Sequence, residues 1–200
     1  MTDTEPEVPP PIVPGVARAL SPLVRRIAVD EAGVAGANTY LVGIDEIVVI
    51  DPGADIAAHL DAIAGCGGDR VKWIITTGAV PDGGAAGLRA RTGAEILAVP
   101  GIGPDDADGE LPIGGTLLGT EFRLTVVDAV GLTEPRVAFL LEEERLIFTG
   151  DWLDDDTEVV DPEARAEALR SMRKARLRAV APVRGPLVEP AAELIARLTS

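Results

Sequence analysis

Histidine and cysteine are nearly missing from this 200-residue chain, which has one of each, His59 and Cys66. A single cysteine excludes an intramolecular disulfide and a cysteine-rich zinc cluster, and it fits a reducing compartment. A single histidine excludes any site that needs several imidazoles. It also leaves Thr76, Thr77 and Thr149 without a histidine base to make one of them a nucleophile. Aromatic residues make up only 3% of the chain, so Val, Leu, Ile and Ala must fill the core. Lys and Arg number 18 against 33 Asp and Glu, a formal net charge of -15. Such a surface repels phosphate backbones, which makes nucleic acid an unlikely partner despite the basic residues gathered between Arg165 and Arg178. No apolar run is long enough to cross a membrane, and the acidic start has no secretory pattern, so the expected location is cytoplasmic.

What is present suits one domain, since a chain of this length buries about 70% of its unfolded surface without disulfides. Residues 1–20 are expected to be a flexible, acidic, proline-rich arm, and residues 21–200 a single domain. Strands are expected at Leu23 to Val29, Tyr40 to Val42, Ile47 to Ile50, Val71 to Ile75, Glu95 to Val99, Phe122 to Val127, Arg136 to Leu141, Arg145 to Phe148 and Ala179 to Ala181. Helices are expected at Asp55 to Ala64, Ala85 to Arg91, Pro162 to Arg176 and Pro190 to Leu198. Gly65 should end the first of these, which leaves Cys66 in a loop and His59 as an exposed or partly packed helix residue. Pro104 to Glu110 reads as an acidic surface loop.

The segments around Ile74-Ile75-Thr76-Thr77-Gly78-Ala79-Val80-Pro81-Asp82-Gly83-Gly84, a buried strand entering a glycine-rich turn and then a helix, carry a family pattern. Before them stand Asn38-Thr39-Tyr40-Leu41-Val42-Gly43 and Val48-Val49-Ile50-Asp51-Pro52-Gly53. After them stand Gly131 to Phe139, Leu146-Ile147-Phe148-Thr149-Gly150-Asp151 and Pro182-Val183-Arg184-Gly185-Pro186. In this order the segments resemble the metallo-β-lactamase superfamily, in its glyoxalase II and lactamase-B-like hydrolase branch. The resemblance implies an α/β fold, an αββα sandwich of two mixed sheets between outer helices.

The resemblance also implies where a dinuclear metal centre would lie. The family's Thr-His-x-His-x-Asp-His places its histidines on Gly78, Val80 and Gly83 and its aspartate on Asp82. The later ligand histidine falls on Leu132, the bridging aspartate on Asp151 and the last histidine on Arg184. Zinc takes three or four nitrogen or sulfur donors in most sites, and two carboxylates without imidazole or thiolate form a poor one. Asp82 and Asp151 are therefore the candidate catalytic residues and the only candidate metal ligands. A carboxylate set of that kind favours a hard cation over zinc. The plain alternatives are that Asp82 caps the following helix, that Asp51 serves the Asp-Pro-Gly turn, and that Asp154, Asp155 and Asp156 form a solvated run beside Asp151.

Three functions come into question, and the first is the expected one, because activating water with zinc requires ligands this chain lacks. A degenerate, metal-free and catalytically silent site, in a pseudoenzyme acting as a binding or structural protein, needs no cofactor. A residual carboxylate site in a metal-dependent hydrolase would need a divalent cation, zinc, manganese or magnesium. A cofactor-independent enzyme would reuse the cleft for proton transfer, with Asp82 or Asp151 as base. The resemblance further suggests that Arg184 replaces the lost metal charge by pairing with Asp151.

Overall fold

The computed structural model describes residues 11–78 and 83–199. Among the described residues twelve strands form two mixed sheets. The first sheet runs in chain order: β1 (Arg18–Ala19), β2 (Val24–Glu31), β3 (Val34–Val42), β4 (Ile47–Ile50), β5 (Val71–Ile75), β6 (Glu95–Ala98) and β7 (Gly109–Glu110). Strands β1 to β4 pair antiparallel, and β4 to β7 pair parallel. The second sheet has the spatial order β12 (Ala179–Pro182), β11 (Leu146–Gly150), β10 (Val137–Leu141), β9 (Arg123–Asp128) and β8 (Thr116–Leu118). Only its β11–β12 pair is parallel.

The period-2 alternation of the strands sets the layering. On β4, Val48 and Ile50 point between the sheets and meet Leu124, Val126, Phe139, Leu141, Leu146 and Phe148. Their neighbours Ile47 and Val49 point outward onto Leu60 and Ile63 of α1 (Ala57–Gly67) and Leu88 of α2 (Gly84–Thr92). On the far side Ala138, Ile147 and Val180 face outward onto Leu169 and Met172 of α3 (Pro162–Lys174) and Ile195 of α4 (Ala191–Leu198). Helix, sheet, sheet and helix layers follow, with the largest apolar core between the sheets. Four aromatics are buried in that core, Tyr40, Phe122, Phe139 and Phe148. Tyr40 and Phe148 stack tilted with ring centroids 5.0 Å apart, and Phe139 is fully buried.

Several local expectations are corrected. Helix α1 passes through Gly65 and Cys66 and stops at Gly67, so Cys66 is helical. Gly68, with φ 62°, makes the closing bond from its N–H to the Ala64 carbonyl; only at this glycine does the chain leave the helical region. His59 is buried, at 3% exposure. The first sheet begins inside the stretch assigned to the arm: Arg18 and Ala19 pair with β2, and the Gly15 N–H donates to the Ala28 carbonyl at 2.8 Å. The remainder of that arm, residues 1–10, lies outside the described residues. The loop from Pro104 closes onto the first sheet as β7.

Candidate binding cleft at the end of the sandwich

Strands β4, β5, β11 and β12 all finish at the same end of the sandwich, and the residues that follow them line a cleft of ≈ 510 Å³. Asp51 follows β4, Thr76 to Gly78 follow β5, Asp151 follows β11, and Val183 and Arg184 follow β12. Arg136 enters from the start of β10, and Leu132, Thr133 and Glu134 from the loop before it. This is where parallel strands deliver loop residues in open α/β folds. Backbone bonds close the two sheets together beneath the cleft: Val137 N–H to the Thr77 carbonyl at 2.8 Å, and Asn38 N–H to the Val183 carbonyl at 2.6 Å.

Asp51 is a structural hub. It has φ 54°, a left-handed conformation that Asp tolerates better than most residues. Its Oδ1 accepts from the Thr77 N–H at 2.8 Å and its Oδ2 from the Thr77 hydroxyl at 2.9 Å. Burial pushes its carboxyl up to about 6, with the Thr77 bonds pulling the other way. Behind it the Thr39 hydroxyl donates to the Asp51 carbonyl at 2.7 Å and lies 2.8 Å from Nε2 of His59. With the hydroxyl proton committed to Asp51, Nε2–H is the donor to Thr39. Burial holds the His59 pKa below its usual value, so the ring is neutral and helps to position the Asp51 turn.

The ion pair of the cleft joins Asp151 to Arg136. Arg136 Nε donates to Asp151 Oδ1 at 3.0 Å and a terminal nitrogen to Oδ2 at 3.4 Å, a two-pronged contact. The same terminal nitrogen reaches Glu134 at 3.0 Å. Burial opposes the Arg136 charge, but the bonds and charges of Asp151 and Glu134 outweigh it and hold the guanidinium above its usual pKa. A Cβ built on Gly78 would meet Arg136 Cδ at 2.5 Å and Nε at 2.7 Å. Arg136 thus fills the space that a side chain at position 78 would take.

The remaining residues named from the sequence are distributed unevenly. Gly78, Leu132, Asp151 and Arg184 line the cleft. Gly83, with φ 84°, starts α2 next to Asp55 and is not part of the lining. Val80 and Asp82 lie outside the described residues, and with them the proposed helix cap. The partner expected for Asp151 is corrected: Arg136 holds it, while exposed Arg184 exerts its charge on Asp154. Burial first, and then the charges of Asp156 and Asp151, push the Asp154 carboxyl up to about 6. Arg136 escaped the sequence reading because it occupies no ligand position of the motif. The signal was indirect, a bare glycine at 78 and an aspartate at 151 that needs a cation.

The donor set of the described residues does not fit a metal centre. Among the described residues no group of three or more His, Cys, Asp or Glu is placed to hold an ion. A fixed guanidinium beside Asp151 would also repel a dication.

No family model and no curated protein matches the sequence. Solved structures do match the fold. A metallo-β-lactamase from Pontibacter korlensis superposes with a TM-score of 0.73 at 16% identity, over 92% of this chain and 96% of that one. A β-lactamase domain protein from Burkholderia ambifaria gives a TM-score of 0.76 at 18% identity, over 96% and 78%. The chemotaxis sensor ODP, solved as a peroxy diiron species, gives 0.68 at 18%, over 93% and 95%. The chain therefore has the metallo-β-lactamase fold, and the described part of its cleft lacks a metal-binding cluster.

Proposed function

We propose that this protein uses the metallo-β-lactamase fold for binding, and that an internal ion pair stands in place of the metal centre. The observation that carries this reading is Arg136 seated against Gly78 and bonded through two nitrogens to Asp151. Metal-assisted hydrolysis requires a cation that polarises the scissile group and lowers the pKa of a bound water. A guanidinium engaged with Asp151 and Glu134 offers charge but no open coordination position. Fold and activity separate in such a case. A cytoplasmic location belongs to the same reading and rests on the lone cysteine, which fits a reducing compartment.

The test is a set of hydrolase assays with zinc or manganese supplied: a chromogenic β-lactam, a thioester of the glyoxalase II type and single-stranded RNA. The expected result is no turnover above buffer. Turnover that disappears in Asp151→Asn would overturn the reading and restore the hydrolase.

A further inference from the structure

We propose that Arg26 and Arg18 form a binding site for a small oxyanion, a phosphate or a carboxylate group. Neither residue lines the cleft, so the inference goes beyond the binding reading above. Arg18 of β1 stands directly opposite Arg26 of β2 in antiparallel register, so both side chains project from one face of the sheet. That face is the inner one, since Val24 and Tyr40 beside Arg26 belong to the core between the sheets.

A guanidinium so placed needs a counter-charge, and the described residues supply none. Arg26 is only 5% exposed. Its one hydrogen bond runs from a terminal nitrogen to the Gly185 carbonyl at 3.5 Å, longer than a well-formed bond. Nε and the other terminal nitrogen have no partner among the described residues, yet neither is sealed from solvent. Burial lowers the Arg26 pKa most, Tyr40 opposes, and the charge of Arg18 lowers it further; no carboxylate acts on it. Arg18 is exposed and likewise makes no ion pair or hydrogen bond among the described residues. Elsewhere Arg89, Arg123 and Arg178 each meet two carboxylates, so a buried arginine whose nearest charge is another arginine stands apart.

Like charges opposite each other on paired strands are destabilising, and an oxyanion between the two guanidiniums offsets both that repulsion and the unmet donors of Arg26. The planar fork of an arginine matches two oxygens of a phosphate or a carboxylate. A cation is disfavoured by the same pair. The net charge of -15 does not forbid an anion here, because exposed charges more than about 8–10 Å away are screened at physiological ionic strength.

The test follows the NMR signal of the Arg26 Nε–H in the full chain during titration with inorganic phosphate, sodium acetate, or sodium chloride at matched ionic strength. The signal is assigned by its disappearance in Arg26→Lys. A saturable shift with phosphate, acetate or both is expected, and the salt that gives it identifies the group bound. The same salt should raise the melting temperature where chloride does not. The affinity should fall about tenfold in Arg18→Gln, which leaves Arg26 in place. Arg173→Gln, at an exposed position of α3, removes equal charge and should leave the affinity unchanged. Shifts that grow linearly with phosphate and acetate alike, or equal weakening in Arg18→Gln and Arg173→Gln, would overturn the proposal.

Discussion

Ile50, Ile75 and Phe148 are buried between the sheets, and one to three residues further along the same strands stand Asp51, Thr76 and Asp151. The two regions share a backbone and differ in what stabilises them. Between the sheets the buried cluster is apolar and set by alternation, with Asn38 and Arg26 the polar exceptions toward the cleft end. At the strand ends the conformation depends on particular side chains: left-handed Asp51 on Thr77, and Gly150, with φ 55°, on having no Cβ to strike the Thr77 hydroxyl. The layered core can therefore persist while the cleft changes its chemistry. That separation lets a metallo-β-lactamase sandwich stand with an arginine where a side chain at position 78 would lie.

The largest expected effect lies in the core. Phe148→Ala removes a side chain 1% exposed that stacks on Tyr40, and it should cost about 4 kcal/mol in denaturant unfolding. A loss below about 1 kcal/mol would mean that the sheets are not held by this layer.

A smaller effect is expected at the cleft. Arg136→Ala should cost about 1–2 kcal/mol, more than a surface pair and less than a fully buried one, because the Asp151 side chain is 41% exposed. Adding Asp151→Asn should recover part of that loss, since the stranded carboxylate then carries no charge. Strictly additive losses in the double-mutant cycle would show that the contact carries no coupling.

The smallest effect depends on pH. The Asp154 carboxyl is raised to about 6 in the folded chain, above its unfolded value of about 3.8, so folded Asp154 retains its proton longer. Its contribution to stability is complete below the unfolded pKa and is lost as pH rises through 6. Asp154→Asn should therefore raise the melting temperature at pH 8, with the gain shrinking as pH falls from 6 to 4. A gain that is constant with pH would contradict the upward shift assigned to burial and to the charges of Asp156 and Asp151.

Much of the core was legible in the sequence, because unbroken apolar runs such as Ile47-Val48-Val49-Ile50 and Leu146-Ile147-Phe148 mark strands buried on both faces. The two- and three-residue strands β1, β7 and β8 carry no such signal and exist only through the neighbour each one pairs with. Helix α1 outran its expected end because a glycine stops a helix through its conformation, and Gly65 stays helical while Gly68 does not. His59, expected as an exposed or partly packed helix residue, is buried. It is enclosed along with Leu60, Ile63 and Gly67 of the same helix, and its hydrogen bond to Thr39 satisfies one of its ring nitrogens. The absence of histidine from the family's ligand positions was readable residue by residue. Arg136 was not, since its role arises from a long side chain crossing to an empty space beside Gly78, a relation between residues far apart in sequence.

The central claim, that the Arg136–Asp151 pair occupies the place of a metal centre, is tested most directly by native mass spectrometry of the full chain in a slight excess of zinc. The account predicts the mass of the apo chain alone, and a melting temperature that a chelator leaves unchanged. One or two zinc ions retained per chain, released by chelation together with a loss of stability, would contradict it.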